Sequence, residues 1–285
     1  MAPAGREPAT IRVCVIGWLL RCVVFGVAPV FAIGVLSTTA FADDAKPSLS
    51  QQLANPIANL TSVPIQYNAL FGGGRDGKAR ASVLDIQPVI PFRLNEDWNL
   101  ITRTILPVAS VQNIFNGKGD VGGVGDTQMS AFLSPEAAGP GGLIWGVGAV
   151  INMPTATNPL LGTNKWGAGP SAVALIQKGS WTVGALANQM WTFDGGKAIN
   201  KSFFQPWVTY QLPENWSVSA TSQTSYDWNT QQWTVPLNVG VAKLFNIGQQ
   251  PVQLQFGGIY MLTAPEGAPR WGLQTTVTFL FPKGG

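Results

Sequence analysis

Three charged residues, Asp85, Arg103 and Asp126, are the sharpest chemical feature of the chain. Each sits in its own alternating segment and shares a face with polar side chains: Gln87 beside Asp85, Asn99 beside Arg103, Gln128 beside Asp126. Opposite charges on one enclosed face either set up a transverse field that orients polar solutes, or form a buried network that fills the interior and conducts nothing. Folding the chain at 93–97 would bring Asp85 and Arg103 together across a hairpin. The same alternation gathers Asn188, Gln205, Gln223, Asn238, Gln253, Gln255 and Gln274, amides that donate and accept hydrogen bonds without carrying charge. An open interior of this kind suits small neutral or weakly polar solutes better than ions.

Histidine is absent, and both cysteines, Cys14 and Cys22, fall in the first 42 residues. Ser-His-Asp and Cys-His catalysis, imidazole acid–base work and His- or Cys-ligated zinc are therefore excluded for the exported chain. The acidic residues lack calcium-loop spacing. The Gly-rich runs 72–77 and 117–123 lack the helix that a phosphate loop requires, and read as outer loops. No cofactor is expected, and no basic tract points to nucleic acid.

The elements that must position these residues follow from composition. Residues 1–42 read as a secretory signal: Arg6 and Arg12, an apolar run from Val23 to Leu36, and Ala40-Phe41-Ala42 as the cleavage site. Charged residues are 11% of the chain, against roughly 25% in a typical soluble domain. Yet no apolar run after residue 42 is long enough for a membrane helix. A chain that enters lipid without helices must close into a barrel, because lipid cannot satisfy its backbone.

Tryptophan supports that reading. Of the 11 tryptophans, Trp98, Trp145, Trp181 and Trp216 follow short turns, whereas Trp166, Trp191, Trp228, Trp233 and Trp271 border longer connections. The two sets would mark the two membrane interfaces. Trp207 alone sits in mid-segment. Core tryptophans of a soluble β-sandwich are the alternative.

Twelve strands are predicted, over 62–70, 80–92, 97–108, 125–134, 142–153, 165–178, 180–192, 201–212, 215–227, 232–245, 251–263 and 271–281. The fold class is thus all-β, a transmembrane antiparallel up-and-down barrel over residues 62–283. Five connections are short and six mostly longer, which places both termini on the periplasmic side. Prolines 88, 107, 170, 206 and 236 fall inside strands, where each removes a ladder donor, and read as bulges or strand ends. Glycines 146, 148, 167, 169 and 184 would leave room inside or relieve curvature. Residues 43–61 read as a periplasmic segment or a partial plug, with a short helix over 51–54 capped by Ser50.

Several stretches carry a family resemblance: Ser62-Val63-Pro64-Ile65-Gln66, Asp85–Phe92, Leu94–Thr104, Gly142–Gly148, Lys165-Trp166-Gly167, Gly169–Leu175, Trp233–Leu237 and Phe279–Lys283. Across nearly all of residues 50–283 the chain resembles the bacterial family named for the meta-pathway of phenol degradation. The resemblance implies a Gram-negative outer-membrane barrel that passes small organic compounds, aromatic ones among them, and supplies no catalytic residues. The expected partners are outer-membrane lipid, a small organic solute and, during biogenesis, the outer-membrane assembly machinery. A closed structural or surface-binding barrel is the alternative function, and an outer-membrane hydrolase a more distant one.

Overall fold

The computed structural model describes residues 47–113, 120–193 and 199–282. The segment read as a secretory signal and part of the second Gly-rich run lie outside them. Among the described residues no helix is long and apolar enough to cross a membrane. The structure is instead an antiparallel sheet closed on itself, formed by β1 (Thr61–Gly73), β2 (Ala79–Ile86), β3 (Val89–Arg93), β4 (Trp98–Gln112), β5 (Val121–Val124), β6 (Thr127–Pro135), β7 (Leu143–Met153), β8 (Gly167–Lys178), β9 (Trp181–Thr192), β10 (Asn200–Gln211), β11 (Trp216–Thr221), β12 (Thr224–Asp227), β13 (Gln232–Ile247), β14 (Gln250–Thr263) and β15 (Trp271–Phe281). Pairing of β1 with β15, from Thr61↔Phe281 to Phe71↔Trp271, closes the barrel and leaves no free edge.

These fifteen segments make twelve spans, because β2–β3, β5–β6 and β11–β12 are each one span with an interruption. The predicted twelve-stranded barrel is therefore the observed one.

The interruptions have a common cause. In an antiparallel pair, two facing residues exchange two hydrogen bonds, and proline has none to give. At each break the surviving bond runs into a proline carbonyl of the neighbouring strand: Gln87 N to Pro64 O at 2.8 Å, Gly125 N to Pro107 O at 2.9 Å, and Ser222 N to Pro206 O at 3.1 Å. The breaks at 87–88 and 222–223 keep register on both sides. The break at 125–126 shifts it by one against β4, a bulge. Strand prolines thus act on the partner strand as well as on their own.

A short helix, α1 (Leu49–Leu53), precedes the barrel. It starts earlier than the sequence reading placed it, and its N-cap is Ser48 rather than Ser50. Ser48 and Gln51 form a reciprocal capping box, which Ser50 has no partner to make. Residues 47–60 lie against the inner wall at the short-turn end. Ser50 Oγ donates to Gln211 Oε1 at 2.6 Å, Gln51 Nε2 to Gly179 O at 2.7 Å, and Gln177 Nε2 to Gln51 O at 2.7 Å. Ile57 is buried with Ile101, Phe132, Val173, Leu175 and Leu186, and Leu60 with Leu244 and Leu280.

Candidate functional site

Strand alternation decides what each side chain meets. The outward face is apolar, with Val147, Val183, Val239, Phe256 and Leu273 each 40–60% exposed. The tryptophans expected at interfaces also point outward, near strand ends. Trp98 meets Trp145 edge-on at 6.0 Å, and Trp181 lies 4.6 Å from Tyr210, at the short-turn end; Trp216 there carries the Lys243 ammonium 4.9 Å from its ring. At the long-loop end Trp166 meets Phe193, Trp228 and Trp233 flank Tyr226, Trp271 stacks near Phe71, and Trp191 is half-exposed. Trp207 has the opposite parity. Its ring points inward and Nε1 donates to Ala54 O at 3.2 Å. The inward glycines are not spare room in every case: a Cβ on Gly184 would lie 2.5 Å from the Trp207 ring, and one on Gly146 3.4 Å from Ile57.

The interior holds two cavities with lining residues in common. The outer one, about 650 Å³, is lined by Asp85, Asp126, Gln128, Asn188, Lys201 and Ser225 among others. The inner one, about 260 Å³, is bounded by residues 52–60 of the N-terminal segment and by Asn238, Gln253, Gln255 and Gln274. Six residues line both and form the boundary, or neck, between them: Gln66, Gln87, Arg103, Leu186, Gln205 and Gln223. All twelve polar residues singled out from the sequence line one cavity or both. Gln66 and Lys201 do so too and were missed, although each shares the parity of a neighbour, Gln66 with Asn68 and Lys201 with Gln205. Asn238 Oδ1 is buried without a hydrogen-bond partner in the protein, an acceptor on the inner-cavity wall.

Asp85 and Arg103 come within electrostatic reach of one another inside the barrel, as expected, but are not register partners. Asp85 stands opposite Pro107, whereas Arg103 stands opposite Val89, four residues further along β4. The Arg103 guanidinium instead donates from Nη2 to Gln87 Oε1 at 2.5 Å. Among the described residues, ion pairs within 4 Å are Lys78–Asp76 and Lys243–Glu214, both at the barrel ends.

Asp126 serves a different purpose from Arg103. Its carboxylate accepts from Ala156 N at 3.2 Å, Thr163 N at 2.6 Å, Thr163 Oγ1 at 2.8 Å, Asn164 N at 3.2 Å and Asn152 Nδ2 at 3.4 Å. Four of these donors belong to the connection between β7 and β8, which folds inward and gives Leu160, Leu161, Gly162 and Thr163 to the outer cavity. Thr155 and Thr157 of the same loop bond to the backbone of β5 and β6 around the bulge. A Cβ on Gly162 would lie 2.6 Å from Asp126 Cγ and from Ala156 Cβ. The charge of Asp126 is therefore committed to holding a loop. No cluster of metal-ligating side chains occurs among the described residues.

An up-and-down barrel of twelve spans, apolar outside and amide-lined inside, is an outer-membrane β-barrel in fold, and its site is a lumen of solute size. The structure is similar to the COG4313 outer membrane channel from Pseudomonas putida F1, with a TM-score of 0.62, 18% identity, and coverage of 78% of this chain and 96% of that one. Fainter likenesses are to outer membrane phospholipase A from Escherichia coli (TM-score 0.46, 13% identity, 77% and 92% covered) and to KdgM porin in complex with disordered oligogalacturonate (TM-score 0.46, 10% identity, 77% and 99% covered). No family model and no curated protein matches the sequence.

Proposed function

We propose that the protein is a passive channel of the bacterial outer membrane for small organic molecules. The observation that carries this reading is the pair of interior cavities meeting at one neck, where four glutamines, Arg103 and Leu186 converge from β1, β4, β9, β10 and the two interruptions at 87–88 and 222–223. Amides exchange hydrogen bonds with a passing solute without binding it as tightly as a charge would. Leu186 with Phe132, Val150, Met190 and Phe203 gives the outer cavity apolar wall, suited to solutes with a hydrocarbon or aromatic body. The likeness in fold to a channel and the resemblance to the phenol meta-pathway family support the same reading.

The test is single-channel conductance of the refolded exported chain in a planar bilayer, with and without small aromatic solutes. Discrete steps that such solutes block, altered in size or ion selectivity by Arg103→Ala, are expected. Steps unchanged by that substitution would remove Arg103 from the path. The N-terminal segment packed inside the barrel favours a second reading, a closed barrel without transport. Stable insertion with no conductance would establish it over the first.

A further inference from the structure

The long-loop end carries a second built feature, on the outside of the barrel at the β1–β15 seam. A groove of about 520 Å³ is lined by Phe71, Lys78, Arg80, Gln112, Asn113 and Trp271. Its floor is aromatic: Phe71 and Trp271 lie 4.7 Å apart and are register partners. Tyr260 continues that row, opposite Trp271 on the other side. Its rim is cationic. The Arg80 guanidinium lies 5.9 Å from the Phe71 ring centroid, and Lys78 lines the same groove. Below the aromatic row, toward the short-turn end, the wall is apolar, with Leu273 more than half exposed and Val108 exposed on β4. The one carboxylate paired here, Asp76, is 3.7 Å from Lys78; both are exposed, so this pair is weak.

We propose that this groove binds the phosphorylated sugar headgroup of an outer-leaflet glycolipid. Arg80 and Lys78 would take the phosphate, Gln112 and Asn113 the sugar hydroxyls, and Trp271 and Phe71 the sugar face, while the acyl chains lie along Leu273 and Val108. Three observations select this occupant. The cations sit on the outward face rather than over the lumen mouth. Arg80 is level with the aromatic row and Lys78 lies just beyond it, at the depth of headgroups. Amides and stacked rings beside a guanidinium match a phosphosugar better than a simple ion, and arginine favours bidentate phosphate contacts. The site is independent of whether the lumen conducts.

The test is native mass spectrometry of the refolded exported chain in detergent with phosphorylated lipid A, dephosphorylated lipid A or inorganic phosphate. Wild type is expected to retain one phosphorylated lipid A. The double variant Arg80→Gln/Lys78→Gln should bind it roughly 30-fold more weakly, at about one kcal/mol per basic residue near a charged membrane surface. Removing the lipid phosphates should weaken wild type to a similar degree, and inorganic phosphate should not compete at equal concentration. Lys243→Gln at the opposite rim should bind as wild type does. Heat-modifiable gel mobility shows whether each variant is folded; should the double variant fail to fold, the single Arg80→Gln is read instead, with a loss of roughly fivefold. Equal retention by wild type and the folded variant, or equal retention of the two lipids, would overturn the proposal.

Discussion

Removing the Asp126 carboxylate should release the inward loop between β7 and β8. Four bonds from Ala156, Thr163 and Asn164 are lost in Asp126→Ala, three of them from backbone N–H groups. A hydrogen bond to a charged group contributes about 1.5–3 kcal/mol. Thr163 and Asn164 are exposed, so their donors regain water on release, and the sum must be discounted heavily. A net loss of about 3 kcal/mol is a reasonable working figure. It corresponds to a shift of roughly 150-fold toward the undocked loop. Leu160, Leu161 and Thr163 then leave the outer cavity wall, so single-channel conductance should rise and become noisier, while the neck keeps its ion selectivity. Gly162→Ala should act in the same direction by a different route, because its Cβ would overlap Asp126 Cγ and Ala156 Cβ, each 2.6 Å away. Planar-bilayer recording of both variants, with folding checked by gel mobility, decides the matter. Wild-type conductance and noise in both folded variants would refute the view that Asp126 holds the loop over the path.

Three further outcomes follow from the packing. Ile57→Ala should lower the denaturant midpoint of the detergent-solubilised barrel by the equivalent of about 2–4 kcal/mol, since Ile57 is only 4% exposed within the cluster that includes Ile101 and Phe132; a shift below about 1 kcal/mol would show that the segment is not docked. Gly184→Val should expel the Trp207 ring and break its bond to Ala54, seen as a change in near-ultraviolet circular dichroism absent from the same substitution made in a Trp207→Phe background. Pro206→Ala should restore a ladder donor opposite Ser222 and raise stability by about 0.5–1.5 kcal/mol, with slower amide exchange around 222–223; unchanged exchange would mean the interruption has another cause.

The chain's two-residue period made most of the barrel legible. Alternation fixes parity, and parity fixes which side chains look inward, so the twelve polar residues could be gathered on one face without knowing a single distance. The same rule applied to β10 would have found Lys201, four residues before Gln205, and Trp207 two residues after it. Partner identity was not legible, because register is a long-range property. Asp85 and Arg103 share a face, but a four-residue offset gives Arg103 to Gln87. Asp126 looked like a free lumen charge because its donors come from residues 156–164, a loop with no periodicity to place it. The helix cap slipped by two because Ser48 and Ser50 are alike until Gln51 is counted from each.

The strand prolines connect these two levels. A proline opposite a residue removes one of that pair's bonds, and the ladder gives way in the partner strand as well as at the proline. Here the partner residues released are Gln87, the 125–126 bulge and the 222–223 step. Gln87 and Gln223 belong to the neck, and Asp126 holds the loop beside it. The interruptions are therefore not scattered defects of a regular barrel. Each lies beside a polar inward side chain that lines the interior cavities, and the spans on either side keep their pairing. The ladder is interrupted beside the interior cavities and continuous at the β1–β15 seam, where eleven consecutive residue pairs keep the barrel closed.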